Sequence, residues 1–332
     1  MKLSLFRISR GWNFAQVLML GAALVVTSCI SIGEVTAADV PPPHGIERRY
    51  SGKQGQILVV RVPGDESVTQ VQGNFLGRTV GFFVDPRPEQ PKGFVGLLGL
   101  DMQDEPGVHE LTITVTKGEL ITALNYSIVV GKEQFRVERL QLPKDKVDLD
   151  SKALARWKAE QKQVRTALAL DSEEKLWQSG FVEPVSGRRT GIFGSVRIMN
   201  GQARNPHNGE DIGAPLGTDV VATNDGIVRL TVDHIFSGKG VYLDHGLGFY
   251  SMYFHLSEVL VKEGETVKIG QTIGKVGATG RATGPHLHWG VKLNGARVNP
   301  YALLELPFKG SAQTGASPEG IDPTSAVGAP EQ

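Results

Sequence analysis

Cysteine is almost absent: Cys29 is the only one in 332 residues. A single thiol excludes an intrachain disulfide, and its place near the N-terminus leaves the rest of the chain without a thiolate nucleophile or ligand. Any metal site must then be built from histidines and carboxylates. Net charge is lacking too, since 35 Lys and Arg balance 35 Asp and Glu. No global field argues for nucleic acid as a partner. The HExxH signature of helical zinc sites does not occur. The glycine-rich "GATGRATG" at 277–284 lacks the GK[ST] of a phosphate loop and leads into a strand, so it reads as a flexible loop presenting that strand. No long helical pattern occurs after Phe181.

What is present is an ordinary composition, 40% hydrophobic and 21% charged, with 41 glycines that favour a turn-rich, β-rich chain. The first segment differs. Lys2, Arg7 and Arg10 precede an uncharged run from Phe14 to Gly33, and small residues follow at Thr36, Ala37 and Ala38. That order is a secretory signal peptide over 1–38, cut after Ala37 or Ala38. Two other readings remain: "VTSC" as a lipobox with a lipid on Cys29, or an uncut membrane anchor. All three place the remainder outside the cytoplasm, in the periplasm or envelope.

Residues 39–142 carry short β-like runs between turn signals, from "QILVVRVP" to "FRVERLQL", which predicts an Ig-like β-sandwich accessory domain. Residues 143–180 turn helical: Asp150 or Ser151 can cap a helix whose Leu154, Trp157, Val164 and Leu168 form an apolar stripe, and Ser172 restarts a second short helix. This reads as a connector packed on its neighbours. Strand and turn patterns return over 181–306, which reads as a second β-rich domain. The tail at 307–332, rich in Gly, Ser, Ala and Pro, reads as disordered. The fold class is mainly β.

Six of the eight histidines fall in 181–306. "GPHLHWGV" places His286 and His288 two apart on a strand, hence on one face, with Leu287 and Trp289 on the other. In "NPHNGEDIGAP", Gly209 and Gly213 argue against a helix. An extended segment then puts His207 and Asp211 on one face and Glu210 on the other. His207, Asp211 and one histidine of the pair complete a three-ligand catalytic zinc set that leaves a fourth position to water. In "YSMYFHLS", alternation places His255 with Tyr253 and Ser251. His234 and His245, each beside a turn, read as structural or as supports behind the ligands rather than as ligands themselves, and His44 and His109 as solvated.

In order and spacing, "FGSVRIMNGQARNPHNGEDIGAPLGTDVVATNDGIV", "GVYLDHGLGFYSMYFHLSEVLVKEGETVKIGQTIGKVGATGRATGPHLHWGV" and the closing "VNP" resemble the lysostaphin/LytM-type zinc endopeptidases. The resemblance covers about Phe181 to Leu306 and implies an antiparallel β peptidase domain with an open groove over 181–306. It implies His207, Asp211 and His288 as zinc ligands, His286 and His255 as catalytic histidines, and a peptide bond in peptidoglycan stems or cross-bridges as substrate. Arg197 and Tyr253 are expected as groove contacts. Glu210 departs from the family, which has an apolar residue there. Two rival expectations are a regulator that activates other wall hydrolases, and a latent protease whose N-terminal segments block the groove.

Overall fold

The structure is a computed structural model that describes residues 48–87, 93–141, 150–170 and 172–308. The expected leader, its cleavage site and Cys29 lie outside these residues, as do His44 and the tail from 309 onward. Among the described residues no helix is long and apolar enough to cross a membrane.

Seven strands form the first half: β1 (Arg49–Lys53), β2 (Ile57–Pro63), β3 (Gln70–Phe75), β4 (Arg78–Val84), β5 (Gly93–Gly99), β6 (Gly107–Lys117) and β7 (Leu120–Gly131). They hydrogen-bond in the order β1-β7-β6-β3-β4-β5-β2, antiparallel except for β1 on β7. Period-two patterning drives the assembly. In β6, Leu111, Ile113 and Val115 face a core that Phe75, Leu98 and Ile128 complete, while the residues between them stay outside. β5 is different, because it is apolar on both faces. Leu98 enters this first core, whereas Leu97 enters the core of the second half.

A further strand, β8 (Val137–Leu140), leads to the helix α1 (Ser151–Ala167), whose N-terminus is capped by Asp150 accepting from Ala153 N at 2.7 Å. The second half then contains β9 (Arg188–Gly191), β10 (Val196–Met199), β11 (Gln202–Ala203), β12 (Gly209–Gly213), β13 (Asp219–Val221), β14 (Gly226–His234), β15 (Gly238–Gly246) and β16 (Phe249–Leu256). It closes with β17 (Glu258–Val259), β18 (Thr266–Val267), β19 (Thr272–Lys275), β20 (Leu287–Leu293), β21 (Ala296–Val298) and a 3-10 turn at Pro300–Leu303. The main sheet runs β18-β14-β15-β16-β20-β12-β9, with β21 added to β20 and a small sheet β13-β19-β17 beside it. One face buries Ile212, Leu243, Tyr253 and Trp289. On the other, Leu230, Val232, Tyr242, Met252 and Phe254 receive Val164, Ala167 and Leu168 from α1. The mainly β class is as the sequence indicates.

Polar contacts fix the two halves together. Gly99 N donates to Asn294 Oδ1 at 3.1 Å, Asn299 N to Gly55 O at 2.8 Å, and the Arg297 guanidinium pairs with buried Asp101 at 2.6 Å. Burial would raise the Asp101 carboxyl, but the bonds from Arg297 outweigh it and hold it below its ordinary value.

Three local expectations are corrected. Ser172 starts no helix: its backbone N–H and its hydroxyl both donate to Asp244 Oδ2, at 3.0 and 2.8 Å, and Leu176 N donates to His245 O. The segment is thereby held along the β15–β16 corner, and Trp177 is delivered into the core. β8, read from composition as part of the first sheet, pairs in parallel with β10 in the order β11-β10-β8. Phe308, read as tail, packs on Phe83 and Trp177.

A buried polar chain crosses the second core. Thr223 N donates to the Tyr253 hydroxyl at 2.9 Å, Ser251 Oγ lies 2.9 Å from that hydroxyl and 2.7 Å from His245 Nε2, and His245 Nδ1 donates to Asp225 O at 2.6 Å. Burial pushes the His245 ring down to about 4 from 6.5. A folded-state value below the unfolded one means that the unfolded chain binds the proton first. Stability is therefore intact above pH 6.5 and is lost as the pH falls toward 4. The loss is expected to be about 3 kcal/mol. Urea unfolding of the parent and His245→Gln across this range checks it: the variant should show the flatter profile, and superimposable profiles would refute the assignment.

Candidate metal and catalytic site

The site is assembled from two neighbouring strands and the loop before one of them. β12 and β20 are antiparallel in a register that sets Asp211 directly across from His288. His207 precedes β12, its backbone tied at both ends by His207 N to Ser195 O (2.9 Å) and Gly194 N to His207 O (2.7 Å). Close packing requires glycine at 209, where a Cβ would lie 2.5 Å from Trp289 O and 2.6 Å from the His288 ring.

Three atoms converge. His207 Nε2 lies 3.0 Å from Asp211 Oδ1 and 3.0 Å from His288 Nδ1, and His288 Nδ1 lies 2.8 Å from Asp211 Oδ1. His207 Nδ1 donates to Ile192 O at 3.1 Å, so a neutral His207 presents a lone pair at Nε2. Asp211 Oδ1 presents another, leaving His288 Nδ1 as the one atom of a neutral cluster able to carry a proton inward. Burial would raise the Asp211 carboxyl, yet its contacts with His207 and His288 hold it far below the ordinary carboxylate range. Burial likewise depresses His288. Such a convergence of acceptors suits a small divalent cation. Tetrahedral ligands at about 2.0–2.1 Å from a metal stand roughly 3.3 Å apart, a few tenths of an ångström more than here.

Two further imidazoles flank the cluster. His286 Nδ1 donates to Gly284 O at 2.8 Å, and its Nε2 lies 3.9 Å from Asp211 Oδ1. His255 Nδ1 donates to Thr279 O at 2.8 Å, and the two rings stand 4.7 Å apart between centroids. Both rings thus present Nε2 as the unprotonated atom of the neutral form. Burial, reinforced by His288, pushes His255 down to about 3, which keeps it neutral at neutral pH.

His255 reaches this site against the expected strand alternation. Tyr253 and Ser251 point into the core, and His255 would follow them. Instead its backbone takes φ +63, the left-handed region, which turns the ring to the opposite face beside Met252 and Phe254. Tyr253 is corrected accordingly: it is fully buried and touches no groove. Arg197 does line the groove, with Nη2 donating to Asp211 Oδ2 at 3.1 Å and Nε 3.7 Å from Glu138 on β8.

Glu210 points away from the cluster, as alternation requires. It is fully buried, receives Phe193 N at 3.2 Å and pairs with the Arg189 guanidinium, which stacks on Tyr301. A buried charge is tolerated where an apolar residue was expected because Arg189 pairs with it. His234 meets Gln163 on α1 at 3.2 Å, and the half-buried His109 donates to Glu105 O at 2.7 Å, so neither joins the cluster. The 277–284 loop is tied down: His286 N donates to Gly277 O, Thr279 Oγ1 to Leu256 O, and Lys239 N to Thr279 Oγ1.

The site opens on a groove of about 810 Å³. Its floor includes Met252 and Phe254, and α1 forms one wall through Trp157, Val164 and Leu168. Nothing in the local sequence signals that the connector helix borders the groove, because helical patterning marks an apolar face without naming the surface it meets.

Comparison with known proteins places a domain within this frame. Residues 205–300 match Peptidase family M23, so the chain carries an M23 peptidase domain. The peptidoglycan DD-endopeptidase ShyC of Vibrio cholerae is 48% identical over 101 residues, covering 30% of this chain and 23% of that protein. ShyA of the same organism is 47% identical over 94 residues, covering 28% and 22%. The chain thus spans less than a quarter of the length of these curated relatives. A crystal structure of a putative peptidase M23 from Pseudomonas aeruginosa superposes with a TM-score of 0.57 at 29% identity, over 74% of this chain and 92% of that one.

Proposed function

We propose that this chain, which carries an M23 peptidase domain, is an exported zinc endopeptidase that hydrolyses peptide bonds of bacterial peptidoglycan. The observation that carries the reading is the three-atom cluster of His207, Asp211 and His288 beside two imidazoles that do not complete it. In this reading those three residues hold zinc, and His255 and His286 are the catalytic histidines. Bound zinc supplies Lewis-acid polarisation of a carbonyl and lowers the pKa of water. The chain's own residues do the rest. Thr279 O and Gly284 O fix the Nδ1 protons of His255 and His286, which leaves each Nε2 an acceptor. His286 can take a proton and return it to a leaving amine, while His255, held neutral by burial, accepts a hydrogen bond from the attacking water. Arg197 engages the second oxygen of Asp211 and leaves the first for the metal. Extracytoplasmic location follows from the substrate, and it agrees with the basic–apolar–small order of the leader.

Digestion of purified peptidoglycan by the zinc-loaded protein, with fragments identified by mass spectrometry, is the test. We expect about one zinc per chain, new amine termini in stem peptides or bridges, loss of cleavage on chelation and recovery on adding zinc back. A fully zinc-loaded protein that cuts nothing would fit a regulator of other hydrolases instead.

A further inference from the structure

We propose that Arg281 is an anion-binding residue of the groove, selecting substrates that carry a free carboxylate beside the scissile peptide bond. The inference deepens the peptidase reading and rests on it. Arg281 lines the same groove as His255 and His288. Two residues before it, Thr279 holds the His255 ring, so the loop that orients one imidazole also delivers the guanidinium.

The delivery is rigid. Gly280 takes φ +69, and a Cβ there would lie 2.3 Å from Gly238 N and 2.5 Å from Phe236 O, so the loop backbone sits directly on the β14–β15 turn. Arg281 N donates to Phe236 O at 2.8 Å, and the guanidinium carbon rests 4.2 Å from the centre of the Phe236 ring. A cation held in this way loses little freedom when it binds.

The described residues also leave its charge without a counterion. Three other arginines at or near the groove have carboxylate partners: Arg197 with Asp211 and Glu138, Arg156 with Glu160, Arg297 with Asp101. Among the described residues no carboxylate pairs with Arg281, which is only half exposed. Its neighbours carry the same sign. Burial and then the nearby Arg197 and Arg204 hold its pKa below the ordinary arginine value. A half-buried guanidinium facing like charges is relieved by an anion, and its planar fork matches a carboxylate with two parallel bonds. Stem peptides of peptidoglycan bear free carboxylates, whereas glycine bridges bear none within the bridge. The groove therefore favours a stem cross-link over a glycine bridge.

The test uses the zinc-loaded protein and two synthetic cross-linked stem-peptide dimers, identical except that the free carboxylates of one are carboxamides in the other. The parent is expected to cleave the acid form with kcat/KM roughly tenfold to a hundredfold above the amide form, mainly through KM. In Arg281→Gln the ratio should fall toward one. Arg281→Lys should keep part of it, since an ammonium retains the charge without the fork. Misfolding would lower both rates and leave the ratio untouched. A parent that does not distinguish the dimers, or an Arg281→Gln protein that melts as the parent does and keeps the parent's ratio, overturns the proposal. Calorimetric titration with the same dimers reads the preference without turnover. Preferential binding of the acid form with neither dimer cut would keep the anion site and sink the peptidase reading, and binding of neither dimer would sink both.

Discussion

His288→Ala is expected to lose metal and activity together, whereas His286→Ala and His255→Asn should keep the metal and lose roughly a hundredfold or more in rate. The two histidines of "HLH" share a face, but the structure separates them. His288 Nδ1 lies 2.8 Å from Asp211 Oδ1, and His286 Nε2 lies 3.9 Å from the same atom. If both bound the metal with His207 and Asp211, protein would fill all four tetrahedral positions and no water could enter. An open catalytic site requires one of them to stand off, and the longer distance favours His286. Asparagine is the better probe at 255, because it tolerates the left-handed backbone of this position. Metal analysis beside hydrolysis rates decides the matter. Metal loss in His286→Ala, with retention in His288→Ala, would exchange the two roles. Metal loss in both, with an inactive parent, would mean a closed structural site.

Asp244→Ala is expected to cost about 3 kcal/mol of stability. Asp244 is fully buried and accepts from Arg229 Nε and Nη2 (2.9 and 2.7 Å), from Ser172 N and Oγ (3.0 and 2.8 Å) and from Gly246 N (2.7 Å). Removing the carboxylate strands these donors and frees the 172–177 segment that delivers Trp177 to the core. Arg229 retains 24% side-chain exposure, so water recovers part of its loss and the figure sits at the low end for a broken buried pair. The contrast is Asp219→Ala. That residue pairs with Lys275 at 58% and 36% exposure, and its loss should stay within about 0.5 kcal/mol. Urea unfolding of both variants checks the comparison, and equal losses would contradict it.

Much of the candidate site could be read directly from residue order. A four-residue separation of His207 and Asp211 interrupted by glycine implies an extended segment, and an extended segment puts both on one face. The same period of two pairs His286 with His288 and sends Trp289 into the core. His255 shows where that reasoning stops. Its φ of +63 overrides alternation, and no neighbouring residue type announces it, because histidine at a left-handed position is held there by tertiary contacts such as that of Thr279. Tyr253 is the counterpart: a tyrosine two residues from a candidate catalytic histidine suggests a groove contact, but its own side chain stays on the core face.

Pairing partners were equally invisible. β8 reads as one more strand of the first sheet, but a strand pairs with whichever edge the fold brings alongside, and here that edge is β10. Ser172 has helix-capping chemistry, yet its donors are captured by Asp244, 72 residues later in sequence. The sequence by itself determined the mainly β class, the lack of any thiol after Cys29 and the His and Asp candidates, because composition and local period act over a few residues. Only the tertiary structure decided which histidine ring faces the cluster at 2.8 Å and which stands off, that α1 walls the groove, and that among the described residues Arg281 meets no carboxylate. These depend on contacts between segments tens of residues apart, where register, backbone handedness and charge pairing are set by packing.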